Sequence, residues 1–475
     1  MFASFDRGDG MKKSIEPKYI YRGVCAIILI LIATGLFSLV WIPFVKDHNQ
    51  TGHLLGMGNV GMAILIYMLL FIIIGRGLHA FKIGVERASA IMASEALTVA
   101  VVDVSEIFIS LAITGQWRFF GDFAWRYLLL CVVQMALLCL IVIPMIQIYR
   151  KKFPPLQLLE IYGDHKHGLH HKLNELPYKY HVAEMVHFSI NEDELKEKIQ
   201  NYDAVLISDI PSHFKNKALK ICVDLDKRFY MVPKISDVIV KYTEELNLID
   251  TPLFLCKKIG IGYTEGIIKR FFDVLLSALA LVLLSPVFLV TAIAIKMEDR
   301  GPVFYRQERC TIGGNHFSIL KFRSMIVDAE KDGRPHPAGE KDDRITKVGN
   351  IIRATRIDEL PQLLNILKGD MSIVGPRPER VEHVEKYTED IPEFSFRSKV
   401  KGGLTGYAQV YGKYNTTALD KLKLDLIYIM NYSLLLDIQI IFETVKILFR
   451  KESTEGFSEE RVAEMHGEDT DEHSY

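Results

Sequence analysis

No two cysteines in this sequence are spaced as CxxC or as any other metal-binding pair. The six cysteines fall singly, with Cys25, Cys131 and Cys139 inside apolar runs. That excludes a disulfide scaffold and suits a reducing compartment. Neither sign of charge is in excess. With 57 Lys and Arg against 58 Asp and Glu, net charge is −1, so the chain lacks the basic field of a nucleic-acid binder. The first apolar run has no small-residue cleavage site and is too long for a signal peptide. Apolar residues, by contrast, are plentiful: 49% hydrophobic beside 24% charged points to membrane segments joined to soluble parts. At 475 residues the chain exceeds one ordinary domain.

Four apolar runs, at about residues 24–45, 54–74, 88–114 and 127–148, fill the first third. Each approaches or exceeds the ~20 residues needed to cross a bilayer. The third carries Glu95, Asp103 and Glu106, acidic groups that at such depth face other helices. Basic residues precede the first run, separate the second from the third and follow the fourth (Arg150, Lys151, Lys152), so both ends of the bundle are expected in the cytoplasm.

From about Pro154 to Cys256 the pattern changes. "LLEIYG", "HVAEMVHF", "DAVLISD" and "RFYMVP" read as strands, alternating with helical stretches such as "NEDELKEKIQ". A small parallel α/β domain is expected. Its first turn, "GDHKHG", lacks the GxGxxG spacing, which argues against a dinucleotide site. The histidines of "HKHGLHH" have no acidic or thiol partner at ligand spacing and read as a solvated loop.

Residues 269–296 form a fifth run long enough to cross. Basic residues flank both of its ends, Asp273 lies in its first turn, and Ser285-Pro286 sits near its middle, where proline removes a backbone hydrogen bond. Two readings stand side by side: a broken helix that dips into one leaflet and returns, or a plain crossing with a tolerated proline. Arg270 and Asp273, three residues apart, are spaced to pair.

Beyond it, residues 353–379 read "RATRIDELPQLLNILKGDMSIVGPRPE". Leu360, Leu363, Leu364 and Leu367 make an apolar helix face. Asp358 and Glu359 then stand at the helix start, where capping explains them without any chemistry. Their surroundings point elsewhere. Lys321, Arg323, Arg344, Arg353, Arg356 and Arg377 gather among glycines in this region. Cations with glycine-rich loops suit phosphates, carboxylates suit Mg²⁺ bridging to phosphates, and a carboxylate can attack phosphorus.

From about Lys269 to Arg450 the chain resembles the bacterial sugar transferases, monotopic polyprenyl-phosphate sugar-1-phosphate transferases. The pieces that carry the resemblance include "KRFFDVLLS", "GPVFYRQER", "LKFRSM", "DRITKVG", "RIDELPQLLNILKGDMSIVGPRPE" and "GLTGYAQVYG". The preceding crossings and α/β domain resemble the long subgroup, which starts O-antigen, capsule or exopolysaccharide assembly. The resemblance implies transfer of a sugar-1-phosphate from a UDP-sugar to undecaprenyl phosphate, with release of UMP and use of Mg²⁺. It makes Asp358 the nucleophile of a phosphosugar-aspartyl intermediate and Glu359 the Mg²⁺ ligand. Lys321, Arg323, Arg353, Arg377, Lys413 and Asp425 become substrate-binding residues. Asp425 and Asp437 match acidic positions, and Ser285 and Pro286 match the re-entrant helix break. Two positions depart from the family pattern: Gly402 stands where a VKPG proline is usual, and Lys413 where an arginine is usual. Lysine cannot reproduce an arginine fork.

The expected architecture is therefore an α-helical membrane bundle (1–150), a small α/β, Rossmann-like domain (151–257) and a mainly α catalytic domain of α+β type (258–455). That third domain carries a re-entrant helix at 269–296, and an acidic, disordered tail follows (456–475). The helix in "LLLDIQIIFETVKILFRK" is amphipathic and suits either the membrane surface or packing on the catalytic domain. The expected place is the bacterial cytoplasmic membrane, with the catalytic domain facing the cytoplasm and no nucleic acid bound. A homodimer through the bundle or the α/β domain has no sequence signal of its own. The competing functions are a catalytically silent scaffold for polysaccharide-assembly partners, in which Asp358 and Glu359 only cap a helix, and a transporter, disfavoured because the polar cluster lies outside the bundle.

Overall fold

The computed structural model describes residues 9–48, 57–115, 117–163, 169–174, 176–256, 259–327, 344–413 and 416–448. The tail expected at 456–475 and residues 164–168 of the histidine-rich loop lie outside these. Contacts divide the chain into two units, Met1–Val232 and Pro233–Tyr475.

The first unit opens with helices α1 (Asp9–His48), α2 (Met57–Gly77), α3 (Ala88–Thr114) and α4 (Phe120–Lys152). Phe37 stacks on Tyr67 with ring centroids 4.1 Å apart. Glu95, Asp103 and Glu106 of α3 are all buried inside the bundle, as expected for acids at that depth. The Tyr67 hydroxyl donates to Asp103 Oδ1 at 3.2 Å and accepts from Gln134 Nε2 at 3.0 Å.

Four strands and three helices follow: β1 (Leu156–Tyr162), α5 (Leu169–Asn174), β2 (Tyr180–His187), α6 (Glu192–Asn201), β3 (Ala204–Ile207), α7 (Ser212–Asp224) and β4 (Arg228–Met231). The strands form one parallel sheet in the order β2-β1-β3-β4. The "AVLI" of β3 is buried at every residue, as a parallel strand covered on both faces must be. Leu159, Ile161, Val205 and Ile207 pack against Leu195 and Ile199 of α6 and Ala218 and Ile221 of α7.

The second unit contains α8 (Ile235–Lys241), a hairpin of β5 (Glu244–Leu248) and β6 (Thr251–Leu255), and α9 (Tyr263–Asp299). An antiparallel pair, β7 (Phe304–Cys310) and β8 (His316–Phe322), precedes α10 (Lys347–Ala354), α11 (Gln362–Lys368), β9 (Ser372–Val374) and α12 (Val381–Asp390). Then come β10 (Gly403–Thr405), parallel to β9, and α13 (Tyr407–Tyr411), α14 (Ala418–Met430) and α15 (Leu434–Leu448). Helix α15 packs on its own unit through Leu436, Ile440 and Ile441, with Leu435 and Ile438 exposed.

Among the described residues, four helical stretches are long and apolar enough to cross a membrane: Pro17–Asp47, Val60–Gly77, Trp117–Lys152 and Tyr263–Asp299. The chain is a membrane protein. The last stretch, α9, is helical over its 37 residues, with Ser285 and Pro286 inside it. Proline cannot donate to the carbonyl of Val282; the Ser285 hydroxyl does so instead, at 2.8 Å.

One face of α9 packs on its own unit along its whole length. Lys269, Asp273, Ser277, Thr291 and Ile295 are buried, and Leu281 and Phe288 fill the gap between them. The other face, with Phe271, Leu275, Val282, Leu289, Ile293 and Met297, is apolar and exposed. Arg270 and Asp273 do not pair with each other. Arg270 donates to the carbonyls of Ile366 and Leu367 (2.5 and 2.8 Å), satisfying the open end of α11. Asp273 accepts from Ser372 Oγ (2.8 Å) and the Ile373 amide (3.0 Å) of β9. Each finds a backbone or hydroxyl partner that would otherwise be unmet.

Lys269 and Asp437 form a buried pair at 2.6 Å, and the Tyr428 hydroxyl also donates to Asp437 at 2.9 Å. Removing one member of a buried pair strands the other, at a cost of about 3–5 kcal/mol. Asp437→Ala should therefore lower the thermal unfolding midpoint in detergent sharply. The double replacement Lys269→Met with Asp437→Leu should recover most of the loss. A midpoint unchanged in Asp437→Ala would show that this pair does not hold α9.

Candidate active site

Three segments meet at the polar cluster of the second unit. On the β7–β8 hairpin, Phe317, Ile319 and Lys321 alternate inward. Helix α10 begins at Thr346, whose hydroxyl accepts from the Gly349 amide at 2.9 Å, and ends at Ala354. Two residues on, Arg356 adopts a left-handed φ of 58° and turns the chain into a 3-10 turn, Ile357–Glu359. Such a conformation costs a non-glycine residue on the order of 1 kcal/mol, so it persists only where its surroundings hold it. The third segment is the turn from Gly375 to Pro378, which carries Arg377. A Cβ on Gly375 would stand 2.4 Å from the Lys401 carbonyl, so only glycine lets β10 approach this turn.

The helix-cap reading of the Asp-Glu pair fails here. Helix α11 starts at Gln362, after Pro361, with no side-chain cap. Among the described residues the Asp358 carboxylate, 9% exposed, has no hydrogen-bond partner. The leucine stripe also differs from its expectation. Leu363 and Ile366 are buried with Gln362 and Asn365, whereas Leu364 is exposed. Asn365 faces inward because it clamps the edge of β8, accepting from the Leu320 amide and donating to the Ser318 carbonyl, both at 2.9 Å.

Glu359 is the hub. Its Oε1 accepts from Lys321 Nζ at 3.0 Å and from Arg377 Nη2 at 2.8 Å, and its Oε2 lies 4.0 Å from Arg356 Nη1. Burial alone would raise this carboxyl, but the charges of Arg377 and Lys321 outweigh it and hold Glu359 well below the usual range. Asp358 moves the other way. Burial and the neighbouring Glu359 charge raise it, opposed by Lys321, Arg353 and Arg356. Burial likewise pushes the Lys321 ammonium down, against the pull of Glu359.

The remaining expected site residues divide. Arg353, at the end of α10, has a buried Nη1 without a partner, and its charge acts on Asp358. Arg323 stands apart. It grips both Asp299 carboxylate oxygens and donates from Nε to the Pro302 carbonyl at 2.7 Å, fastening the end of α9. Asp425 lies beneath the site and pairs with Arg397 Nε at 2.6 Å, while Arg397 Nη2 donates to the Arg377 carbonyl at 3.0 Å. Glu379, 2.8 Å from Lys421 Nζ, completes that buried network. Lys413 is exposed just beyond α13. Gly402 packs on the arginine turn: a Cβ there would stand 2.5 Å from Pro378 Cγ, and the Gly402 amide donates to Thr311 Oγ1 at 3.3 Å. A proline at this position would lose that amide, which accounts locally for the departure.

Among the described residues no three His, Cys, Asp or Glu side chains gather as a metal site. A carboxylate-poor site still fits Mg²⁺, which commonly binds one or two carboxylates with the rest supplied by water and substrate phosphate. Asp358, which no hydrogen bond engages, and Glu359 Oε2 are the oxygens present for it.

Comparison with known proteins agrees with this geometry. The family described as "Bacterial sugar transferase" matches residues 264–451, inside the second unit. The exopolysaccharide production protein ExoY of Sinorhizobium fredii is 40% identical over 210 residues, covering 41% of this chain and 92% of that protein. The chain belongs to the bacterial sugar transferase family. Two further relatives are an Aeromonas hydrophila protein named UDP-N-acetylgalactosamine-undecaprenyl-phosphate N-acetylgalactosaminephosphotransferase, 45% identical over 184 residues, and a Klebsiella pneumoniae protein named UDP-glucose:undecaprenyl-phosphate glucose-1-phosphate transferase, 43% identical over 215 residues. The matches cover 38% and 44% of this chain, and under half of each relative, 43% and 45%.

Glu379 supplies a pH test of the network under Arg377. Burial would raise it, but Lys421 and Arg397 outweigh burial and bring it from 4.5 to about 2. A depressed carboxyl contributes stability that is present above its unfolded value and lost as pH falls through the folded one. The unfolding midpoint should therefore fall steeply between pH 4.5 and about 2. Glu379→Gln should be less stable at pH 7 and flatter across the acid range. Parallel curves for the two proteins would rule this contribution out.

Proposed function

We propose that this chain transfers a sugar-1-phosphate from a UDP-sugar to undecaprenyl phosphate, releasing UMP, as the first membrane step of exopolysaccharide, capsule or O-antigen assembly. The observation that carries the reading is Asp358: a buried carboxylate without a hydrogen-bond partner, beside a Glu359 that two cations have already claimed. An oxygen of Asp358 attacks the sugar-bearing phosphorus of the donor, and the bond from that phosphorus to the UMP oxygen breaks. In the second step an oxygen of the lipid phosphate attacks the same phosphorus, the acyl phosphate bond breaks, and Asp358 leaves as the carboxylate. Lys321, Arg353 and Arg377 offset the charge of the diphosphate, and the orphaned Arg353 Nη1 gains an acceptor when phosphate binds. Mg²⁺ held by Glu359 with Asp358 would supply further charge neutralisation. The relatives carry names for both glucose and N-acetylgalactosamine transfer, so the sugar stays open.

The same proposal puts the catalytic unit at the cytoplasmic face of the bacterial inner membrane, with α9 as a re-entrant helix. Supporting this, Lys269 near one end of α9 is held by Asp437, and Asp299 at the other end by Arg323, all within one unit. The basic residues flanking the helix agree.

Incubation with labelled UDP-sugar and no lipid should release one UMP per protein and leave the phosphosugar on Asp358, detectable by mass spectrometry. Asp358→Asn keeps size and polarity but is no nucleophile, and should lower turnover by about 10³-fold or more. Label on another residue, or normal turnover in the asparagine variant, would overturn the mechanism. No UMP from any donor with folded wild-type protein would overturn the function.

A further inference from the structure

Arg309 lies on β7, on the same face of the hairpin as Lys321: in the register Tyr305 opposes Lys321 and Arg309 opposes Phe317, and on that face Gln307 and Arg309 are half-buried while Tyr305 is exposed. Its Nη1 donates to the Pro378 carbonyl at 3.2 Å, directly after Arg377, and its Nη2 to Gln307 Oε1 at 2.6 Å. Its Nε is buried with no partner. Among the described residues no carboxylate lies within ion-pair distance of this guanidinium. Glu379, whose charge it feels, is taken up by Lys421 at 2.8 Å and approached by Arg397 at 3.9 Å. Burial and the like charges of Arg377 and Arg380 push Arg309 down to about 10.

A half-buried cation among other cations, with an unmet donor and no counter-ion, is costly unless an anion arrives from outside the chain. We propose that Arg309 is an anion-binding residue of this active site, taking a phosphate group of the nucleotide donor or of the lipid acceptor. The assignment rests on the function proposed above. Arg309 is placed for it because the Pro378 carbonyl ties its guanidinium to the turn that presents Arg377 to Glu359. The guanidinium fork suits phosphate oxygens better than a lysine would.

The test uses the full-length protein in detergent with Arg309→Gln, Arg309→Lys and, as a control, Arg306→Gln, which removes a charge from the exposed face of the same strand. Donor KM, acceptor KM, kcat, lipid-free UMP release and the unfolding midpoint with and without UMP are measured. Arg309→Gln should raise one KM by about 10-fold or more, with a smaller effect on kcat; the lysine variant should recover part of it. A raised donor KM together with lost stabilisation by UMP identifies the nucleotide phosphate. A raised acceptor KM with normal lipid-free UMP release identifies the lipid phosphate. If both KM values and the UMP stabilisation match wild type, Arg309 only ties down Pro378 and the proposal falls, whatever the midpoint does. If the wild type turns over no donor, the proposed function fails. The midpoint measured with UMP and, in this case, with inorganic pyrophosphate then judges Arg309 separately: equal stabilisation of wild type and Arg309→Gln by both overturns the assignment.

Discussion

Two half-buried cations beside each other need a counter-ion, and in this protein one carboxylate serves both. Lys321 arrives on a hairpin and Arg377 on a tight turn, and Glu359 Oε1 accepts from each. That sharing has a chemical result. The adjacent Asp358 is left in the same cationic field with no hydrogen-bond partner among the described residues. A carboxylate fully engaged by arginine would be a poor nucleophile; one raised by burial and steadied by charges at a distance is a better one. The strained φ of Arg356 belongs to the same arrangement, because it turns the chain after α10 into the 3-10 turn that carries both acids.

Behind the site lies a second set of ion pairs that touches no reacting atom. Arg397 joins Asp425 to the Arg377 carbonyl, and Glu379 holds Lys421. Backbone approach completes the support, since Gly375 and Gly402 admit neighbours at distances where any side chain would collide. The position of Arg377 is thus set from beneath by charge and from the side by close packing.

Much of this could be read from the residue pattern, and the failures are instructive. The four strands of the α/β region and their parallel pairing followed from short β-branched runs between helical stretches. The polar cluster was legible because acids, cations and glycines of one chemistry crowd a short segment. Arg323 misled because it sits in the same short cation-rich segment as Lys321. Strand β8 ends at Phe322, the alternation stops there, and Arg323 swings to Asp299. The capping argument for Asp358 assumed a helix that begins directly after the pair, but Pro361 delays it to Gln362. Asn365 stands outside the leucine stripe, yet the backbone of β8 draws it inward. Arg309 was quoted within a motif but had no local signal of its own. Only the hairpin register brings it to the face of Lys321. Partners chosen by tertiary approach leave no trace in local spacing.

The grip of Asp273 on β9 links two environments that are otherwise unlike. One carboxylate on the lipid-facing helix fixes Ser372 and Ile373, and the turn bearing Arg377 begins two residues later at Gly375. Helix α9 and the arginine turn are thus joined by a single carboxylate, so the seat of that helix on β9 and the position of the guanidinium are one structural constraint.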